Sequence, residues 1–216
     1  MPSVKLMDDA VEKLTRDGDM DAKTDLNIGF HVLLGECTGN PVLILLMRIL
    51  MDKYSLGWSL AWGLITKIFA YTNHTVLPEA LEKWSVSLMQ SLVPRVAEII
   101  FEINRRWLLQ VKEVFDGDSE MMSKLSIVEG EGEHQMFRMA HLAIVGSFKV
   151  NGVAAIHAEI VKEDVFPQFV EFYKRKGIND KFIGITNGVT CRRWMAQCNP
   201  ELSSVITKAL GSDRCL

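Results

Sequence analysis

The chain of 216 residues has few cysteines, and they are widely separated. The four lie at positions 37, 191, 198 and 215, and the closest two are separated by residues 192–197. This spacing has neither the CxxC pattern of a zinc site nor the density of a disulfide-stapled domain. An HExxH pattern is also absent. We therefore expect reduced thiols in a cytoplasmic protein and no metal site.

A membrane-spanning segment and a secretory leader are lacking as well. The most apolar run, Pro41–Leu50, contains Arg48 and is about half as long as the roughly 20 residues of a helical span. Residues 1–27 are charged throughout and have no apolar centre, so they do not predict a signal peptide. Such a stretch is typical of a frayed helix or a disordered tail. We expect no membrane partner.

Positive charge is not in excess either. The 24 lysines and arginines are outnumbered by 27 aspartates and glutamates, which gives a formal charge of −3. The two basic pairs, Arg105-Arg106 and Arg192-Arg193, are too small to form a basic face. A nucleic-acid partner is therefore not expected. The hydrophobic content of 48 % is that of an ordinary globular protein, in one large domain or two small ones.

What the sequence does contain is helical periodicity. The longest apolar stripe covers about five helical turns and consists of Val96, Ile99, Ile100, Ile103, Trp107, Val111 and Val114. Further helices are predicted at residues 58–69, 139–145, 153–161, 166–173 and from Pro200 to a stop at Gly211. Residues 42–51 fit a helix or a buried strand equally well, because periodicity does not separate the two.

Strands are predicted only near the two ends of the chain, at Ile28–Gly35 and Lys181–Thr186. The second leads into a turn at Asn187-Gly188. A lone strand at Phe182, after a long helical run, suggests the first strand of an α/β domain whose remainder is absent. The fold class predicted is therefore α/β, with this segment predominantly helical and its strands short.

The densest polar cluster is Ala70–Trp84, where His74, Glu79 and Glu82 surround Pro78. A helix is predicted to begin at this proline. Backbone N–H groups in the first turn have no partner within the helix, so proline, which lacks an N–H, is tolerated there. Both glutamates would then lie where the helix dipole favours negative charge. A polar loop before a helix N-terminus is suited to bind a hydroxylated or anionic ligand. From spacing alone, a satisfied loop histidine with capping carboxylates is the favoured interpretation.

Two other polar groups have simple structural interpretations. His141 and His157 lie on predicted helices among apolar residues, which is typical of packed, hydrogen-bonded histidines. The segment from Asn187 to Trp194 follows a predicted strand, the position at which open α/β sheets bind ligands. The alternative is a turn that needs Gly188 only for a positive φ.

Four blocks in order resemble the α-glucan phosphorylases, the family of glycogen and starch phosphorylases. They are Ala70–Trp84, Met139–Ser147, Val150–His157 and Thr186–Trp194. The resemblance runs from about residue 28 to residue 211 and leaves out residues 1–27. It implies that residues 28–180 are the C-terminal part of the family's N-terminal domain. Residues 181–216 would then be the truncated start of the C-terminal cofactor domain.

The resemblance also implies an activity. Members of the family are cytoplasmic, homodimeric and allosteric glycosyltransferases of glycogen metabolism, with two Rossmann-like domains in the GT-B arrangement. They cleave α-1,4-glucan with orthophosphate and release glucose 1-phosphate. Pyridoxal phosphate is the cofactor, and its phosphate group acts on orthophosphate as acid and base. α-1,4-Glucan and orthophosphate are therefore the small-molecule partners that we expect.

Individual site residues follow only by matching positions. His74 matches the histidine that contacts the glucosyl unit, and Asn187 matches the asparagine that binds its 6-hydroxyl end. Trp194 matches a tryptophan close to the cofactor, and Ala154 lies beside the sugar. The complete set of implied substrate-binding residues is His74, Thr75, Glu79, Ala80, Glu82, Val153 and Asn187.

Three departures from the family pattern weaken the expectation of activity. Cys37–Pro41 stands where the family has Asp-Thr-His-Pro, Phe148 replaces a histidine, and Cys191 replaces a proline. By the resemblance, the cofactor lysine and the phosphate-binding cations belong to sequence beyond Leu216. We therefore expect no catalytic residue within the chain. When the chain is supplied with cofactor, glycogen and orthophosphate, it should release no glucose 1-phosphate. The alternative function is that of an inactive remnant or an interaction fragment.

Overall fold

The computed structural model describes residues 41–190 and 192–212. The predicted tail at 1–27, the predicted strand at Ile28–Gly35, the Cys37–Asn40 segment and Cys191 lie outside the described residues. Between positions 41 and 212, Cys191 apart, no helix has the length and apolar character needed to cross a membrane.

Helices make up most of the described structure. The α-helices are α1 (Pro41–Arg48), α2 (Trp58–Ile68), α3 (Val86–Leu92), α4 (Pro94–Val114), α5 (Ser119–Leu125), α6 (Met139–Gly146), α7 (Ala155–Ile160), α8 (Pro167–Arg175) and α9 (Pro200–Leu210). π-Helical segments extend α1 over Ile49–Lys53 and α7 over Val161–Val165, and a further one covers Arg192–Gln197. Residues 42–51, for which the sequence left helix and strand open, are thus helical.

The long helix α4 forms the centre of the core, as its apolar stripe predicts. Pro94 occupies its first turn, and the six stripe residues from Val96 to Val111 are buried. Trp107 stacks with Phe169 of α8 at a centroid distance of 5.7 Å, and its indole N–H donates to Leu125 O at 2.8 Å. Since indole burial needs a polar partner, this bond ties α4 to the end of α5.

Six short strands form two sheets within the described residues. The strands are β1 (Ala70–Thr72), β2 (Lys83–Ser85), β3 (Val128–Glu129), β4 (Met136–Arg138), β5 (Lys149–Gly152) and β6 (Phe182–Gly184). One sheet is parallel, with the order β1-β5-β6 and with Tyr71, Val150 and Phe182 in register. The other sheet is antiparallel, with the order β2-β4-β3.

The strand inventory corrects the sequence expectation. The strand predicted at Lys181–Thr186 is present as β6, but the expectation that it stands alone was wrong, because β6 pairs with β5 along its whole length. Five strands between residues 70 and 152 were missed. Each has two to four residues, which is too short for an alternating pattern to be visible. The predominantly helical α/β character with short strands is nevertheless confirmed.

His141 is a buried histidine of the core. Its Nδ1 lies 3.0 Å from Ser126 O, to which the neutral ring donates, and its ring contacts the edge of Phe169 at 4.9 Å between centroids. The prediction of a packed, hydrogen-bonded histidine is thus confirmed. Burial lowers the pKa of His141 to about 3, and the positive charge of Arg138 acts in the same direction.

This burial predicts a stability loss in mild acid. Between pH 6.5 and about 3 the unfolded chain binds a proton at His141 that the native chain does not bind. The free energy of unfolding should therefore decrease as the pH is lowered. This group contributes at most about 1.4 kcal/mol per pH unit to the decrease. The variant His141→Asn keeps a donor without the titration. Urea unfolding from pH 7.5 to 4 should give it the shallower profile, and parallel profiles would contradict the assignment.

Candidate functional site

The candidate site lies where the three parallel strands end. Parallel strands present their carboxyl ends at one edge of the sheet, the usual ligand position in α/β proteins. Three loops leave this carboxyl edge: residues 73–77 after β1, residues 153–154 after β5, and residues 185–190 after β6. The loops contain His74, Thr75, Val153 and Asn187 of the implied sugar-binding set.

Backbone hydrogen bonds tie the first and third loops to β5 and to the loop that follows it. Asn73 N–H donates to Asn151 O at 2.9 Å, and Ile185 N–H donates to Gly152 O at 2.9 Å. One step further from the sheet, Asn187 N–H donates to Val153 O at 3.0 Å. The pairing of the strands therefore continues past their ends, and Asn187 is held next to Val153.

The first loop is shaped by the buried amide of Asn73. This residue is 1 % exposed; its Oδ1 accepts from Thr75 N–H at 3.0 Å, and its Nδ2 donates to the Tyr71 hydroxyl at 3.2 Å. The Thr75 hydroxyl in turn accepts from Leu77 N–H at 3.1 Å. Such side-chain turns replace the missing ladder bonds of the loop. They leave the His74 side chain exposed between two anchored neighbours.

The structure corrects the prediction of a helix that begins at Pro78. It begins at Pro78 as expected but is a single 3₁₀ turn that ends at Ala80. Glu79 and Ala80 lie in this turn, whereas Glu82 lies beyond it and precedes β2. The backbone leaves the helical conformation because residues 83–85 pair with β4, and Glu82 O accepts from Met139 N–H at 3.1 Å. The dipole argument for Glu82 was therefore wrong.

Two acidic groups beside the first loop hold their protons more strongly than usual. Burial raises the pKa of the Tyr71 hydroxyl, and the negative charge of Glu82 raises it further. Partial loss of water raises the pKa of Glu82, although this residue remains exposed overall. Tyr71 is therefore neutral at physiological pH and acts as a hydrogen-bonding group.

The second loop requires a close approach between α7 and the sheet. A Cβ atom on Gly152 would lie 2.7 Å from His157 Nδ1 and 2.8 Å from Ala158 N, and one on Gly184 would lie 3.2 Å from Ala158 Cβ. Val153 N–H donates to His157 Nδ1 at 3.2 Å, so the ring proton resides on Nε2. His157 is a hydrogen-bonded helix histidine, as predicted, and its bond orients the loop at Val153.

The third loop carries Asn187, whose side chain is exposed. Gly188 is not in the positive-φ region, so the interpretation of this segment as a turn that needs that glycine was wrong. Trp194 lies on the π-helical segment, with an exposure of 64 %. Its backbone N–H donates to Thr190 O at 3.1 Å, and no described bond joins its side chain to the carboxyl edge.

Three residues that shape the site were not identified from the sequence: Asn73, Gly152 and, in its orienting role, His157. Their importance comes from contacts between separate segments, and the only local signal was the polar run before Pro78. Among the described residues, no group of three histidine, cysteine, aspartate or glutamate side chains has the arrangement of a metal site. The edge therefore offers amides, an imidazole, hydroxyls and carboxylates for hydrogen bonding.

The close approach at α7 predicts a graded response to added methyl groups. Gly152→Ala should lower the free energy of unfolding by about 1–3 kcal/mol, because the neighbouring backbone must move. Gly184→Ala, with the longer contact, should cost less. The matched control is Gly63→Ala in α2, which has no atom within 4 Å and should gain up to about 1 kcal/mol of helix propensity. Urea unfolding of the three variants measures the order, and equal effects would contradict it.

Comparisons with known proteins agree on one family. Residues 28–215 match the family described as carbohydrate phosphorylase. Over 171 residues the chain is 52 % identical to glycogen phosphorylase 2 of Dictyostelium discoideum, covering 79 % of this chain and 17 % of that protein. It is 48 % identical to the glycogen phosphorylase of Chlamydia trachomatis over 168 residues, covering 78 % and 20 %. Against the human liver form it is 50 % identical, covering 78 % and 19 %. The chain thus spans about a fifth of the length of these relatives.

Proposed function

Because this chain belongs to the carbohydrate phosphorylase family, we propose that its carboxyl edge is part of the glucosyl-binding site of an α-1,4-glucan phosphorylase. The proposed reaction is the phosphorolysis of glycogen or a related glucan by orthophosphate, which releases glucose 1-phosphate. One observation carries the proposal: Asn187 N–H donates to Val153 O at 3.0 Å, which joins two of the residues that the resemblance assigns to the sugar.

The chemistry of the edge suits a neutral, hydroxylated ligand. The Asn187 amide both donates and accepts, and the His74 ring does the same when neutral. Both side chains are exposed on loops that hydrogen bonds hold in place. The loop backbone therefore loses little conformational freedom when a ligand binds. Glu79 and Glu82 add exposed acceptors for hydroxyl groups. In this proposal Thr75, Ala80 and Val153 shape the loops, and His74 and Asn187 bind the sugar.

Pyridoxal phosphate supplies acid–base chemistry through its phosphate group when it is bound in this family. Of the described residues, the resemblance assigns only Trp194 to it, and that indole is 64 % exposed on the Arg192–Gln197 segment. One exposed ring offers neither a lysine for the aldehyde nor an enclosed phosphate cradle. The described residues therefore do not form the cofactor site. The role proposed for this chain is sugar binding.

Glucose titration tests the proposal directly. The sugar should shift the NMR signals of the His74 ring and the Asn187 side-chain amide. His74→Ala and Asn187→Ala should each weaken binding by about fivefold or more, because each removes one hydrogen-bonding group. The control is His134→Ala, which removes another exposed histidine, on the Gly132–His134 turn beside the antiparallel sheet. Wild-type affinity in His74→Ala, or no shift at either residue, would contradict the proposal.

A second candidate function is that of an interaction fragment, and the exposed apolar side chains favour it. None of the residues of α9 is buried, and Val205 on this helix is 63 % exposed. Ile156 and Val189 are exposed by 75 % and 76 %. On α9, Leu202 and Val205 are both exposed and are three positions apart, so they share one face of the helix, and an exposed apolar face is typical of a surface that contacts another protein. In this alternative the chain binds other phosphorylase chains and has no catalysis of its own.

The surface of α9 gives a separate prediction. The wild-type chain should bind an apolar fluorescent dye and self-associate at high concentration, as judged by light scattering. Leu202→Glu together with Val205→Glu should reduce both signals, because the double substitution places charge on the exposed face of α9. The N-cap bond should remain, because it joins the backbone N–H of Leu202 to Asn199 Oδ1. Exposed Ser204→Glu is the control for added charge. A monomeric wild-type chain without dye binding would argue against the interaction role.

A further inference from the structure

A small cavity with a cationic lining lies between α8 and β6. Its volume is about 170 Å³, which is room for several water molecules or for one small ligand. Three lysines line it, Lys162, Lys174 and Lys181, together with Asn179 and the Tyr173 side chain. Of the described residues around it, none is a carboxylate and none belongs to the proposed sugar-binding set. We refer to it as the lysine cavity.

Lys181 is the unusual member of this group, because its side chain is buried. Only 6 % of the residue is exposed. Its ammonium group donates to the Ser147 backbone carbonyl and lies 4.7 Å from the centre of the Tyr173 ring. An ammonium carries three donors, so a single carbonyl leaves two of them available.

No negative charge in the described part of the chain neutralises Lys181. The nearest carboxylate in sequence, Asp180, forms an ion pair with Lys149 instead. Burial lowers the pKa of Lys181, and together with the smaller effect of the positive charge of Lys149 it brings this pKa to about 8. A buried ammonium without a counter-ion is costly, and an anion in the adjoining cavity would remove much of that cost.

The other two lysines extend the positive charge towards solvent. Lys174 is exposed and forms no ion pair with any described carboxylate. Lys162 pairs with Glu159 at 2.9 Å, so its charge is partly neutralised. The Asn179 amide adds neutral donors beside them. This lining is rich in donors and poor in acceptors, in a chain whose formal charge is −3.

We propose that the lysine cavity binds a small tetrahedral oxyanion of the phosphate class. Lys181 supplies the buried positive charge, and Lys174 and Asn179 supply further donors at the cavity. The apolar side chains of Val170, Ile178 and Phe182, which also line the cavity, limit the space to a small ligand. Free orthophosphate and the phosphate group of a sugar phosphate share this chemistry.

Calorimetric titration with inorganic phosphate tests the site. The wild-type chain should bind one phosphate saturably. Lys181→Met, which removes the buried charge and keeps a linear side chain, should weaken binding by more than about tenfold. Lys174→Gln, an exposed change that leaves the fold intact, should weaken it by about threefold. Exposed Lys67→Gln in α2 is the matched control and should bind as the wild type does.

Two further arms identify the ligand and the group that binds it. Glucose 1-phosphate that competes with phosphate supports a cavity that accepts a sugar phosphate, and its failure to compete supports a free-anion site. Sulfate does not titrate in this range, so its affinity should fall as the pH rises through about 8, where Lys181 loses its proton.

Absence of saturable phosphate binding by the wild type would overturn the proposal. Wild-type affinity in both Lys181→Met and Lys174→Gln would overturn it as well. Lys174→Gln decides the question alone if Lys181→Met does not fold. Uncharged glucose is the probe at the carboxyl edge, so the two proposals fail independently.

Discussion

The parallel pairing of β1, β5 and β6 is the constraint on which the candidate site depends. These strands have only three or four residues each, and they bring together segments separated by about 80 and 30 positions in the chain. The pairing requires α7 to pack almost against the backbone at Gly152. Any side chain there would push the helix away, and with it His157 and the loop at Val153.

The helical core supplies what such short strands lack. Few ladder bonds join the three strands, and a small isolated sheet has little stability in water. Helix α4 buries a continuous apolar face, and Asn104 on that helix accepts from Ile127 N–H at 2.8 Å. Trp107 on the same helix stacks against α8, the helix that leads through residues 176–181 to β6. The sheet is therefore held both by its own hydrogen bonds and by the helical core, in which Val150 of β5 and Phe182 of β6 are buried.

The elements that were predictable from sequence are those whose signal is local. Helix α4 has 21 residues, so the period of its apolar stripe is unmistakable, and Pro200 and the left-handed Gly211 marked the ends of α9 correctly. Strand β6 was predicted within residues 181–186, but the other five strands were not predictable, because two to four residues carry no period and their partners are distant. Pro78 began a helical turn, but pairing of residues 83–85 with β4 overrode the local preference for more helix.

The same distinction applies to the candidate site. Family resemblance pointed to His74 and Asn187, whereas the residues that position them are visible only in three dimensions. In the sequence Asn73 looks like any polar loop residue. In the structure its buried amide bonds to Tyr71 and to Thr75. The prediction that His157 is a packed histidine is accurate. The sequence did not show that His157 also accepts a hydrogen bond from Val153 N–H and so orients the loop at the carboxyl edge. Tertiary contacts convert residues of unremarkable sequence into supports of the loops.

Strand β6 connects two chemically different environments. Lys181 immediately precedes it, and Lys181 O accepts from Val150 N–H at 2.8 Å; Asn187 follows it and bonds to Val153 O. The start of the strand therefore lies beside buried positive charge, and its end leads to neutral hydrogen-bonding groups. A buried ammonium favours anions through charge, whereas exposed amides and an imidazole favour hydroxyl groups through geometry. Because the two ends are only a few residues apart, the proposed anion site and the proposed sugar site lie at opposite ends of one short strand, in separate pockets with different chemistry.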